Sequence, residues 1–82
     1  MIVDNGNKYI RFELLKDTGK TQFWSVVNKS SGSSLGEIQY YWGWRQYTFV
    51  PVENSEYNNG CLQSITNFLT RLNKEKRILE GE

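Results

Sequence analysis

The run from Gly36 to Pro51 concentrates the side chains best suited to recognition. Tyr40, Tyr41, Trp42, Trp44, Tyr47 and Phe49 are interleaved there with one cation, Arg45. Aromatic faces stack on planar ligands, and a guanidinium pairs through its planar fork with phosphate or carboxylate. Together these groups describe a surface for a planar anion. Some of the same rings must also build the core. Strand alternation sends Ile38, Tyr40 and Trp42 to one side, and Gln39 and Tyr41 to the other. The candidate binding residues are Trp24, Tyr41, Trp44, Arg45 and Tyr47, with Trp24, Tyr41 and Trp44 expected on or beside a sheet face that no helix covers. Exposed aromatic clusters on small proteins mark interfaces or ligand surfaces. The plain alternative for Arg45 is a surface salt bridge to Glu37 or Glu13, which contributes little. Gly43 reads as a hairpin turn, since it has neither the spacing nor the following helix of a phosphate-binding loop.

Catalysis finds little support. There is no histidine, which excludes His-dependent triads and His metal sites. Cys61 is the lone cysteine, so no intrachain disulfide or Cys-based zinc site is possible. Asp4, Glu13, Asp17, Glu37, Glu53 and Glu56 fall in no paired-acid or metal-ligand spacing. Cys61 is expected at a helix N-terminus, which lowers a thiol pKa. Without a base beside it, it reads as a small buried hydrophobe. The chain is therefore read as a non-enzymatic protein with no cofactor and no metal.

These side chains need elements to hold them. Tyr9–Leu15 alternates strictly, with Ile10, Phe12 and Leu14 on one side, and reads as a strand. Thr21–Asn28, Leu35–Trp42 and Trp44–Val52 read as three more, with Pro51 marking an end or an edge. Lys16–Lys20 is a hairpin turn. Asn28–Ser34 is a flexible hairpin loop, or alternatively an anion-binding nest. After an Asn-rich loop at 53–60, too polar for the core, the period changes. Cys61, Leu62, Ile65, Phe68, Leu69 and Leu72 recur at helical steps, so a helix is expected over 61–78, with Asn59 as its N-cap. The expected fold is α+β: a four-stranded antiparallel sheet in the order β-β-β-β-α, with Leu62, Ile65, Phe68, Leu69 and Leu72 packed on Ile10, Phe12, Leu14 and Ile38. Residues 1–8 form a frayed start and 79–82 a frayed tail.

Length and composition bound what remains. Eighty-two residues allow a single domain, 1–82. A chain this short buries only about 60–65% of its unfolded surface, so its small core must use large side chains, and 15% aromatic content supplies them. No apolar run approaches a membrane span, and the first twenty residues lack the apolar stretch of a signal peptide. The net charge of +1 is low for a dedicated duplex-DNA binder. The basic run Arg71, Lys74, Lys76 and Arg77 reads as a solvated last stretch of helix, where cations suit the helix dipole.

Phe23-Trp24, Leu35-Gly36-Glu37-Ile38, Trp44-Arg45-Gln46-Tyr47, Phe49, Pro51, Cys61-Leu62, Ile65, Phe68 and Leu69–Asn73 form a pattern over residues 21–73. It resembles small uncharacterised proteins encoded by bacteriophages and prophages of Gram-positive bacteria. The resemblance carries no catalytic residues. It implies a phage gene product, cytoplasmic in the infected host, acting by binding and often in counter-defence. The β-β-β-β-α order is also similar in outline to the single-stranded-DNA-binding transcriptional coactivator fold, although that family's lysine-rich strands are missing here.

The expected function is capture of a nucleotide-like signalling ligand by the aromatic and arginine surface. The alternatives are a protein–protein inhibitor of a host protein and a single-stranded nucleic-acid-binding protein. Near-neutral charge counts against nucleic acid. One small chain has little room for an enclosed pocket, so a homodimer is expected to complete the site.

Overall fold

An antiparallel sheet of five strands with one helix laid across it is what the computed structural model shows for residues 3–79. The strands are β1 (Val3–Asn5), β2 (Ile10–Asp17), β3 (Gln22–Asn28), β4 (Ser34–Tyr41) and β5 (Gln46–Pro51), and they neighbour one another in chain order. The helix α1 (Asn59–Leu79) follows. The α+β class and the C-terminal helix are as expected, but the sheet has a fifth strand. β1 lies in the segment read as a frayed start. It is too short to show a period, and its register with β2 (Val3 opposite Glu13, Asn5 opposite Arg11) comes from the partner strand. Arg71, far along the chain, also ties it down through an ion pair with Asp4. Leu79, expected in the frayed tail, is the last residue of α1, while Met1, Ile2 and the rest of that tail, Glu80-Gly81-Glu82, lie outside the described residues.

The core lies between the helix and one sheet face. Ile10, Phe12, Trp24, Val26, Ile38 and Tyr47 meet Cys61, Ile65, Phe68 and Leu72. Phe68 is central. Its ring stacks on Phe12 with centroids 4.1 Å apart and planes within 3°, and Trp24 meets it edge-on at 4.9 Å. The inward line of the helix is 61, 65, 68 and 72. Leu62 sits one residue, about 100° of helix rotation, from Cys61, and it is 48% exposed rather than packed. Leu69 is only half-buried on the margin.

Pairing explains which aromatics are inside. Trp24 lies opposite both Leu14 and Ile38, so it shares their face. Tyr40 and Tyr47 are also opposite one another. Of the aromatics expected on the other face, Trp24 is turned toward the helix, whereas Tyr41 remains there by register with Glu37 and Gln39, and Phe23 faces the same way. That face also carries Arg11 paired with Glu13 at 2.6 Å, and the hydroxyls of Ser25 and Ser34 at 3.2 Å. Glu37, Gln39 and Thr48 continue it by register. At Gly36 the sheet tolerates no side chain: an added Cβ would stand 2.6 Å from the Val50 carbonyl oxygen and 2.7 Å from the Phe49 ring.

Side chains close the exposed ends of the backbone. The Tyr47 amide donates to Asn73 Oδ1 at 2.6 Å, which covers one free amide on edge strand β5. Pro51 has no amide to offer on the same strand. The 53–60 loop is less polar in effect than its sequence implies, because Tyr57 turns inward, edge-on to Phe49 at 5.5 Å, and donates its hydroxyl proton to the Leu35 carbonyl. The helix is capped by Asn58, one residue before the expected Asn59. Its Oδ1 accepts from Cys61 N at 2.8 Å and its carbonyl accepts from Leu62 N at 3.0 Å. Adjacent asparagines are equivalent in type, so only the fold distinguishes them. Asn58→Ala is expected to cost about 1 kcal/mol, read as a shifted urea midpoint with unchanged slope. Asn59→Ala should leave that midpoint nearly in place.

Candidate functional site

The β4–β5 connection is a four-residue turn, Trp42-Gly43-Trp44-Arg45. Trp44 N donates to the Tyr41 carbonyl at 3.2 Å and Arg45 N to the Trp42 carbonyl at 3.3 Å. Closing this turn puts Arg45 in the left-handed region, at φ 55°. Gly43 leaves room for the Tyr41 ring, whose atoms lie 2.8–2.9 Å from where a Cβ would stand. Tyr41 then meets Trp44 edge-on at 5.1 Å. On the helix side, Trp42 meets Tyr40 at 4.7 Å, and Tyr40 meets Tyr47 at 5.3 Å. The tip is thus a pair of aromatic couples astride a tight turn, and its rings face outward: Trp44 is 67% exposed, Trp42 62% and Tyr41 49%.

β5 leads away from this tip and α1 returns toward it, which brings the last turns of the helix beside the turn. A cleft of about 120 Å³ opens between them, lined by Tyr40, Trp44, Arg45, Gln46, Asn73, Lys76 and Arg77. Three of these are cations and none is an acid. Lys76 is buried, and its ammonium lies 4.9 Å from the Tyr40 ring and 5.7 Å from Trp42, within cation–π range. Arg45 and Arg77 are exposed. Among the described residues the ion pairs are Arg11–Glu13 and Arg71–Asp4, so the salt bridge considered for Arg45 is not formed.

Of the residues read as binding candidates, Tyr41, Trp44 and Arg45 come together at this tip. Trp24 and Tyr47 do not join them as surface: both are buried in the core. Trp24 Nε1 is satisfied by Gln22 Oε1 at 3.0 Å, and Tyr47 Oη accepts from Gln22 N at 2.9 Å. Asn73, Lys76 and Arg77 belong to the cleft although the basic run had read as a solvated face. Their spacing at i, i+3 and i+4 marks one helix side, but only the return of the helix to the turn shows what that side meets.

Burial pushes the Tyr47 phenol above its ordinary value of 10.0, against the smaller opposing effect of the Gln22 amide. A phenol whose folded pKa is raised contributes stability that is complete below the unfolded value and lost as pH rises through the folded one. Stability should therefore fall above about pH 10. Urea midpoints taken across that range should fall less steeply for Tyr47→Phe than for the native chain.

The other sites considered offer less. The Asn28–Ser34 loop spends its amides internally: Gly32 N donates to the Asn28 carbonyl at 2.7 Å, and Ser30 N to Asn28 Oδ1 at 2.8 Å. Cys61 is buried. Among the described residues no group of His, Cys, Asp and Glu is placed to hold a metal, and no helix is long and apolar enough to cross a membrane.

No protein-family model and no solved structure matches the chain. One curated relative does: the "Uncharacterized 9.3 kDa protein" of Acholeplasma phage L2, 31% identical over 71 residues that span 85% of this chain and 91% of the relative. Identity at that level across nearly the whole of both chains shows a phage-encoded lineage, and the chain belongs to the family of that phage protein.

Proposed function

We propose that the protein is a non-enzymatic binding module that captures a nucleotide-like ligand at the β4–β5 tip. The observation that carries this reading is the cleft itself, in which Arg45, Lys76 and Arg77 line one space beside exposed indole and phenol rings. The cations receive a phosphate, and Trp44 supplies a face on which a base stacks. The C-terminal end of a helix carries a partial negative charge of about half a unit, which opposes an anion. Two guanidiniums and an ammonium outweigh it. Gln46 and Asn73 add amide groups at the wall.

The phage setting gives such capture a use. Holding a nucleotide signal away from its receptor would serve counter-defence in an infected host cell, with no chemistry required. A single strand of nucleic acid offers the same pairing of base and phosphate, and the outward tip rings suit it. The chain's net charge of +1 does not, because strand binding draws much of its strength from many neutralised phosphates.

Tryptophan emission tests this reading, since Trp42 and Trp44 are exposed and Trp24 is buried. Nucleoside monophosphates should quench the emission saturably, and Trp44→Phe should remove most of the change. Emission unaltered by nucleotide would refute the proposal.

A further inference from the structure

The cleft at the tip is too small to hold a whole nucleotide. Pockets that enclose small ligands span about 300–1,000 Å³, well above the 120 Å³ found here. A second cavity of about 190 Å³ lies on the far side of the Tyr47 side chain, lined by Asp17, Gly19, Lys20, Thr21, Gln22, Tyr47, Leu72, Glu75 and Lys76. Lys76 lines both spaces. The β2–β3 turn and the β4–β5 turn lie at the same end of the sheet, so the two spaces sit side by side under the last turns of α1. Together they just reach the size of a small-ligand site.

The second cavity differs in chemistry from the first. Its floor is apolar and aromatic, from Leu72 and Tyr47. Its rim is mixed, with Asp17 and Glu75 as acceptors and Lys20 as a donor. Among the described residues neither Lys20 nor Glu75 is in an ion pair. Asp17 is held in place: Gly19 N donates to one oxygen at 2.8 Å and Gln22 Nε2 to the other at 3.0 Å. The turn behind it is fastened by Thr18 N to the Thr21 carbonyl at 3.0 Å and Thr21 N to Thr18 Oγ1 at 3.0 Å. An apolar and aromatic floor with a held acceptor, Asp17, and charged groups at its edge suits a nucleobase. With two acids at its rim, it does not suit a second phosphate.

We infer that this second cavity is a subsite for a second base, so that the ligand is a dinucleotide whose phosphates lie in the cationic cleft, one base on Trp44 and the other between Tyr47, Leu72 and Glu75. The inference rests on the proposed function and narrows it to a ligand class. Lys76 stands between the subsites, where the linking phosphate would pass.

The test compares pApA with adenosine 3′,5′-bisphosphate, pAp, by calorimetry on the native chain. pAp carries both phosphates and one base, and lacks the second nucleoside, base and ribose together. A stacked base contributes enough to tighten binding about tenfold, so pApA should bind about ten times more tightly than pAp. Glu75→Tyr, which fills the cavity from its exposed rim, should bring pApA to the level of pAp and leave pAp unchanged. Lys20→Ala, also at the rim, should weaken pApA alone. If pAp binds and pApA gains nothing, or if Glu75→Tyr weakens both equally, the second subsite is overturned while the tip site stands. If neither binds to the folded protein, the proposed function falls with it. A further steep gain from pApA to an eight-nucleotide strand would overturn the dinucleotide in favour of strand binding.

Discussion

Arg45→Ala is expected to weaken nucleotide binding by about thirtyfold or more while leaving the melting temperature nearly unchanged. The two effects separate because Arg45 does different things in the two states. In the free protein its side chain is exposed and is in no ion pair among the described residues, so truncation should move stability by no more than about 0.5 kcal/mol. In the complex it is the cation nearest the turn, and loss of an arginine anchor at a binding site costs about 2 kcal/mol or more. Arg45→Lys should also fail, because an ammonium cannot reproduce the planar fork.

A third substitution sharpens the case. Arg45 sits at φ 55°, where a side chain costs about 1–2 kcal/mol and glycine is at ease. Arg45→Gly should therefore hold or raise the melting temperature while losing binding to the same degree as Arg45→Ala. A turn chosen for stability alone would carry glycine or asparagine at this position. Retention of strain at a suspected site is the pattern expected where side-chain chemistry is needed. Calorimetric binding and thermal melts of the three variants check this together. An Arg45→Ala protein that melts several degrees lower and loses binding only in proportion would show the residue to be scaffold.

Phe68→Ala should have the largest effect on the fold, about 3–5 kcal/mol. The ring is buried between Phe12 and Trp24, and the Arg71 guanidinium lies 4.8 Å above it. Its loss opens a cavity beneath the helix and removes the surface on which Arg71, the partner of Asp4, rests. Domains of this size have net stabilities of about 5–15 kcal/mol and often sit at the low end. The variant should be largely unfolded on warming. Leu62→Ala, on the same helix but exposed, should cost less than 1 kcal/mol. Urea titrations that give the two variants equal midpoints would contradict the packing described for α1.

The contrast between Phe68 and Leu62 shows what was legible beforehand. The switch from alternation to helical spacing after Gly60 announced the helix; β2, β4 and β5 were readable from alternation, and β3, buried at four consecutive positions, from its β-branched and aromatic content. Whether Leu62 faces inward depends on a rotation of 100°, which a single stripe of apolar residues does not resolve. β1 was illegible because three residues hold no period, and its support from β2 and Arg71 is non-local. The site divides in the same way. Trp44 and Arg45 were identifiable from residue type and the Gly43 turn. Trp24 and Tyr47 were not separable from them, since burial follows from register, and register is set by pairing partners. Lys76 and Arg77 became part of the site only when the helix was seen to end beside the turn.

The little room that one small chain has for an enclosed pocket is the reason for expecting a homodimer. The site on one chain already offers both a stacking ring and cations, so the proposed function does not depend on self-association.

The most direct measurement is the amide shift map of isotope-labelled protein titrated with pAp. Saturable shifts are expected at Trp44, Arg45, Gln46, Asn73 and Arg77, together with the Trp44 indole N–H, while Arg11, Glu13 and Glu37 on the polar part of the open face stay still. Shifts confined to that polar part, or none at millimolar ligand, would contradict a site at the tip.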